Sequence, residues 1–142
     1  MNDARLSELR DEITTATFDL NQLRQDQVDL LPSLRASEAS VSAIAEAFGI
    51  SRAAFYKNGY DKIGAGSVGE TGRRDELLET VREFEQLRGE LAERITAMRR
   101  ERDALILEDL NGDTKPNWVQ LSQTAGVSQE WISRIKSGKV TR

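Results

Sequence analysis

Between Arg5 and Leu31 an apolar side chain returns every three or four residues, at Leu6, Leu9, Ile13, Ala16, Leu20, Leu23 and Leu30, with Gln27 in the one polar slot. That alternation is a heptad seam of nearly four repeats. At 1.5 Å of rise per residue such a helix runs about 40 Å, too long and too narrowly apolar to cover the side of a small globule by itself. It needs a partner helix along its length. The same alternation returns from Arg73 to Leu107, in Leu77, Val81, Phe84, Leu91, Ile95, Met98 and Leu105, with Arg88 and Arg102 filling seam positions. This second helix runs about 50 Å. Polar residues in a seam set register and partner number while weakening the packing. Pro32 is predicted to end the first helix and push the preceding residue out of the α region. Asn111-Gly112-Asp113 is predicted to close the second with residues that tolerate a left-handed conformation.

After each seam comes a shorter pattern. Trp118 to Gly138 reads as two short helices around a turn, with Gly126 free to take a positive φ and Ser128 placed to cap the second helix. Leu121, Ala125, Val127, Ile132 and Ile135 then point inward, and Ser128, Gln129, Glu130, Ser133, Arg134 and Ser137 point out. Residues Val41 to Lys57 repeat the pattern around Gly49. At an offset of 77 positions, Val41 overlays Trp118, Ile44 overlays Leu121, Ile50 overlays Val127, Ser51 overlays Ser128, Phe55 overlays Ile132 and Lys57 overlays Arg134. Both are helix-turn-helix patterns. The shift also drops Leu107 onto Leu30, so the chain reads as a tandem repeat of one unit, a long helix followed by a helix-turn-helix. The expected organisation is all-α: a long amphipathic helix over 1–31, a first helix-turn-helix unit over 32–63, a Gly-rich linker over 64–72, a long amphipathic helix over 73–110 and a second helix-turn-helix unit over 111–142.

Composition removes most chemistry. There is no Cys and no His among the 142 residues, so disulfides, thiolate or imidazole metal sites, a Cys nucleophile and a His general base are all excluded. The remaining carboxylates lie scattered along the long helices, as on solvated faces, and no acid, base and nucleophile set converges. The expectation is a non-enzyme with no cofactor, no metal and no evident small-molecule ligand. The N-terminal stretch is amphipathic and acidic, so neither a signal peptide nor a membrane span is expected, and the expected compartment is the cytoplasm.

Charge is segregated. Residues 1–31 carry net −4 and residues 67–112 net −4, whereas 32–66 carry +1 and 113–142 carry +3. The chain total of −4 is a weak objection to a nucleic-acid partner, because the local potential at the docking surface governs binding.

The C-terminal pattern, Leu121-Ser122-Gln123-Thr124-Ala125-Gly126-Val127-Ser128 through Ile132-Ser133-Arg134-Ile135-Lys136-Ser137-Gly138-Lys139, resembles the DNA-binding motif of the Cro and lambda-repressor class. The N-terminal one, Ile44-Ala45-Glu46-Ala47-Phe48-Gly49-Ile50-Ser51-Arg52 to Phe55-Tyr56-Lys57, is similar to that of resolvase-type recombinases and tetracycline-repressor-like regulators. The extra helices of a five-helix repressor domain, and any catalytic or ligand-binding domain, are missing here. The resemblance implies that Gln129 and Ser133 face base edges, while Ser128, Arg134, Lys136 and Lys139 meet phosphates or guanine. Glu130 either accepts from a cytosine amino group or is a solvated charge. In the N-terminal copy it assigns the outward places to Ser51, Arg52, Ala53, Tyr56 and Lys57, with Arg52 a bidentate guanine contact and Ala53 or Tyr56 touching a thymine methyl or a sugar. Tyr56 and Tyr60 have the alternative of covering the small unit's core, and Trp118 and Trp131 are expected as core anchors.

Reach bears on architecture. Parallel pairing of the two seams would require residues 61–72 to run back along the whole first helix, about 40 Å at full extension, with no slack. An antiparallel pairing, within one chain or between two, is therefore expected, and homodimerisation through the long helices stays open. The function expected is a small sequence-specific double-stranded-DNA-binding protein, a bacterial, plasmid or phage transcriptional regulator or repressor. The alternatives are a partition, replication or recombination accessory protein binding repeated sites, or a helical protein–protein adaptor without DNA contact.

Overall fold

The computed structural model describes residues 2–64 and 73–138. The described residues contain no strand; they form α1 (Asp3–Asp29), α2 (Leu31–Ala36), α3 (Val41–Phe48), α4 (Arg52–Lys57), a 3-10 turn at Tyr60–Lys62, α5 (Arg74–Leu110), α6 (Trp118–Ala125) and α7 (Gln129–Ser137). The all-α class and the two long helices are as expected. Of the Gly-rich stretch, residues 65–72 lie outside the described residues.

Two local expectations are corrected. Pro32 does not simply end a helix; it sits in the first turn of α2, and Leu31 before it is helical. A first-turn N–H has no intrahelical acceptor in any case, so the missing donor of proline costs little there. α5 does end at Leu110, but residues 111–113 take no left-handed conformation: among the described residues positive φ occurs only at Glu38, Gly49, Gly59, Gly126 and Gly138. The Gly112 N–H instead donates to the Asp109 carbonyl at 3.3 Å, and the Lys115 ammonium donates to the Leu110 carbonyl at 3.1 Å, satisfying carbonyls that the helix end leaves open.

The chain divides into two compact units, Met1–Phe18 with Ala92–Arg142, and Asp19–Leu91. Each unit takes one segment of α1, one segment of α5 and one pair of short helices. In the first, Leu6, Ile106, Leu110, Leu121, Ala125, Ile132 and Ile135 form the core, with Leu105, Trp118, Val127 and Trp131 half-buried against it. The Asn2 backbone N–H and side-chain amide both donate to the Asp109 carboxylate, and Arg5 grips Glu101 through Nε at 2.6 Å and Nη2 at 2.9 Å. Residue 2 meeting 109 and residue 5 meeting 101 makes this pairing antiparallel.

The second unit has its own core of Leu31, Leu34, Ala39, Ile44, Ala45, Ala47, Phe48, Phe55, Leu77, Leu78 and Val81. Here the polar seam residue Gln27 is fully buried. Its Nε2 donates to the Val81 carbonyl at 3.1 Å and to Glu85 Oε1 at 3.2 Å, and its Oε1 accepts from Arg24 Nη1 at 2.8 Å. Arg24 pairing with Glu85 and Gln27 with Val81 again runs the two segments antiparallel. A buried amide whose donors and acceptor are matched at one register only penalises any slip, because a slipped helix would leave it unsatisfied. Antiparallel pairing within one chain is thus what both units contain.

Candidate nucleic-acid interface

In the first unit, α6 starts on Asn117, whose side chain accepts from the Gln120 N–H at 3.1 Å, and stops at Gly126 with φ of 71°. The Ser122 hydroxyl donates to the Val127 carbonyl across the turn. α7 begins on Ser128, whose Oγ accepts from the Trp131 N–H at 3.1 Å. Gly126 does more than supply a left-handed φ: a Cβ there would come within 2.7 Å of Arg10 Cγ of α1, so the turn rests against the long helix. Arg10 also donates to the Gln123 carbonyl at 3.2 Å, closing the end of α6. The Trp131 indole N–H donates to Asp103 Oδ1 at 3.0 Å, which ties α7 to α5.

The second unit repeats these devices with different side chains. Ser40 caps α3 through the Ala43 N–H, Gly49 ends it with φ of 70°, and Ser51 caps α4 through the Ala54 N–H at 3.0 Å. Arg24 lies over the Phe48 ring at 5.3 Å and donates to its carbonyl at 3.3 Å, and Glu85 touches the place where a Gly49 Cβ would be. Ser40 and Asn117, Gly49 and Gly126, and Ser51 and Ser128 are each 77 positions apart, and the six residue pairs overlaid from sequence match in burial throughout.

With the turns built in this way, the outward residues fall as the helical period requires. Ser128, Gln129, Glu130, Ser133, Arg134 and Lys136 are exposed on α7 and its cap, while Ile132 and Ile135 between them are buried. Ser51, Arg52, Ala53, Tyr56 and Lys57 are exposed on α4 and its cap, while Phe55 is buried. Lys139 lies outside the described residues. The Lys136 ammonium lies over the Trp118 ring at 5.6 Å, so one candidate phosphate ligand is already held in a cation–π contact. Tyr60 packs edge-on against Phe55 and tilted on Phe48, in the core role, whereas Tyr56 meets Phe55 edge-on and stays 47% exposed. Trp118 and Trp131 are core anchors, half-buried against the first unit's cluster.

On the motif helices themselves the charges are equal. Arg52 and Lys57 stand against Glu46 on α3 and α4, and Arg134 and Lys136 stand against Glu130 on α6 and α7, a net +1 in each. The excess of the C-terminal segment comes from Lys115, Lys139 and Arg142 outside those helices, offset by Asp113. Two further cations, Arg99 and Arg102 of α5, line a hollow at the start of α7. A motif reading passes over them because they lie in a different helix. Arg102 was visible only as a cation in a seam slot.

Among the described residues no group of His, Cys, Asp or Glu is arranged to hold a metal, and no helix is long and apolar enough to cross a membrane. No protein-family model, no curated protein and no solved structure matches the chain.

Proposed function

We propose that the chain is a small double-stranded-DNA-binding protein, a transcriptional regulator, that presents α7 and α4 to the major groove. The observation that carries the proposal is the recurrence of one geometry: in each unit a capped helix, a left-handed glycine and a second capped helix leave a polar, cation-bearing face outward. α7 is nine residues long, and an α-helix with its side chains is about 10–12 Å across, a width that fits a groove about 12 Å wide. In this reading Gln129 and Ser133 read base edges, Arg134 takes guanine or phosphate, and Arg52 does the same from the second unit. The acidic long helices leave the motif faces as the main source of attraction, so affinity from phosphate contacts is modest and falls as salt rises.

The test is a mobility shift over a salt series with genomic or plasmid fragments. Binding at low salt that selects some fragments over others is expected. Arg134→Ala and Arg52→Ala are each expected to weaken binding by about 1–3 kcal/mol, five- to 150-fold, without loss of helicity. Absence of binding above non-specific levels at low salt rejects the proposal and leaves the helical adaptor as the reading. An effect from only one substitution confines the DNA contact to that unit.

A further inference from the structure

A hollow of about 360 Å³ opens beside the start of α7, lined by Arg99 and Arg102 of α5, Val127 and Ser128 of the turn, and Trp131. Arg102 is 9% exposed, an unusual depth for a guanidinium. Its Nε donates to Asp103 Oδ1 at 2.9 Å, and that is its only hydrogen bond among the described residues. The two terminal amino groups have no protein acceptor among the described residues, and neither is shut off from solvent, so they are open to a ligand that enters the hollow. Burial lowers the Arg102 pKa. Asp103 is itself held by the Trp131 indole, so the aspartate fixes the arginine while neutralising it only in part. Arg99 lies one helical turn away on the same face of α5 and is exposed. The start of α7 completes the lining: Ser128 caps the Trp131 N–H, and the earlier N–H groups of the first turn have no intrahelical acceptor.

We infer that this hollow is a phosphate site, with the Arg102 fork and Arg99 as its cations and the first turn of α7 as its backbone donors. The inference rests on the DNA-binding reading and deepens it: the phosphate is a backbone diester of the duplex that α7 enters. A fork anchored by its Nε on Asp103, with both terminal amino groups left for a ligand, suits a pair of phosphate oxygens in a bidentate contact. The contact carries no base information; it sets how far α7 reaches into the groove. Two acids limit its strength. Asp103 lies beneath the fork, and Glu130, exposed on the first turn of α7, opposes an incoming anion.

The experiment has two arms on the full chain. In the first, binding to random-sequence duplex DNA is measured over a salt series for the wild type, Arg99→Gln, Arg102→Lys, Glu130→Gln and Arg134→Ala. Arg99 is exposed, so Arg99→Gln tests the site without threatening the fold, and Arg102→Lys keeps the charge opposite Asp103 but removes the fork. Arg99→Gln is expected to weaken binding uniformly across sequences and to make the salt slope shallower by about 0.9. Arg102→Lys is expected to weaken binding with an unchanged slope, and Glu130→Gln to strengthen it. In the second arm, inorganic phosphate is titrated while backbone amide resonances are followed, with shifts expected at Gln129 and Glu130 in the wild type and smaller ones in Arg99→Gln. If duplex binding is lost in Arg134→Ala but keeps its full affinity and slope in Arg99→Gln and Arg102→Lys, the phosphate site is overturned and the DNA reading stands. If the wild type ignores duplex DNA yet inorganic phosphate moves the Gln129 and Glu130 amides, the DNA reading falls and with it the diester; the hollow is then a free-phosphate site. Silence in both arms overturns both.

Discussion

Replacing Gly126 by alanine separates two effects that one residue combines. The first is conformational: at φ of 71° an alanine pays about 1–2 kcal/mol that glycine avoids. The second is steric. The added Cβ would stand 2.7 Å from Arg10 Cγ and 3.3 Å from Arg10 Cδ, so the arginine must move and give up its bond to the Gln123 carbonyl, worth about 0.5–1.5 kcal/mol. Together the loss is about 1.5–3.5 kcal/mol. Gly138→Ala supplies the comparison, because its φ is 73° and nothing lies within 4 Å of the added carbon. That change is expected to cost only the conformational part, about 1–2 kcal/mol at most. Both tryptophans belong to the unit that contains Gly126, so urea unfolding followed by Trp fluorescence reports that unit selectively. With a urea slope of about 1–3 kcal/mol per molar, the Gly126→Ala midpoint falls by about 0.5–3.5 M. In an Arg10→Ala background the clash is gone, and the same substitution should cost only its conformational part. Equal losses for Gly126→Ala in the two backgrounds would refute the contact between the turn and α1.

Gln27→Ala removes a fully buried amide, leaves the Val81 carbonyl and Glu85 without their donor and opens a cavity; a loss of about 2–4 kcal/mol is expected, read by amide hydrogen exchange in residues 74–91. A Gln27→Ala variant with unchanged protection there would remove the register role assigned to the amide. The Arg5 guanidinium, hydrogen-bonded to Glu101, lowers that carboxyl's pKa, so the pair adds stability above the ordinary carboxylate pKa and loses it as pH falls through the depressed folded-state value. Glu101→Gln should therefore lower stability slightly at neutral pH, flatten its acid limb in urea titrations and leave stability at low pH unchanged; an effect that persists at low pH would point to packing instead. The small size follows from exposure, since both partners are bathed in solvent.

Much of the local structure was legible because it depends on near neighbours. The heptad steps from Leu6 and Leu77 place apolar side chains on one stripe of a helix whatever the partner is. Ser51, Ser128, Gly49 and Gly126 act through bonds to groups three or four residues away or through their own φ, so type and spacing reveal them. Pro32 misled because the same ring that terminates a helix also suits the first turn of another.

Long-range pairing was not legible in that way. The sequence by itself determined the all-α class, two long helices and two helix-turn-helix patterns with their outward residues, since each follows from a period or a cap within a few positions. Only the tertiary structure decided that each unit draws on both long helices, that Arg24 and Arg10 close the first helix of their respective motifs, and that Asp103 holds both Trp131 and Arg102. The physical reason is separation along the chain: Asn2 and Asp109 are 107 positions apart, and no periodicity states which of several acids a given cation or amide will meet once the seams have closed.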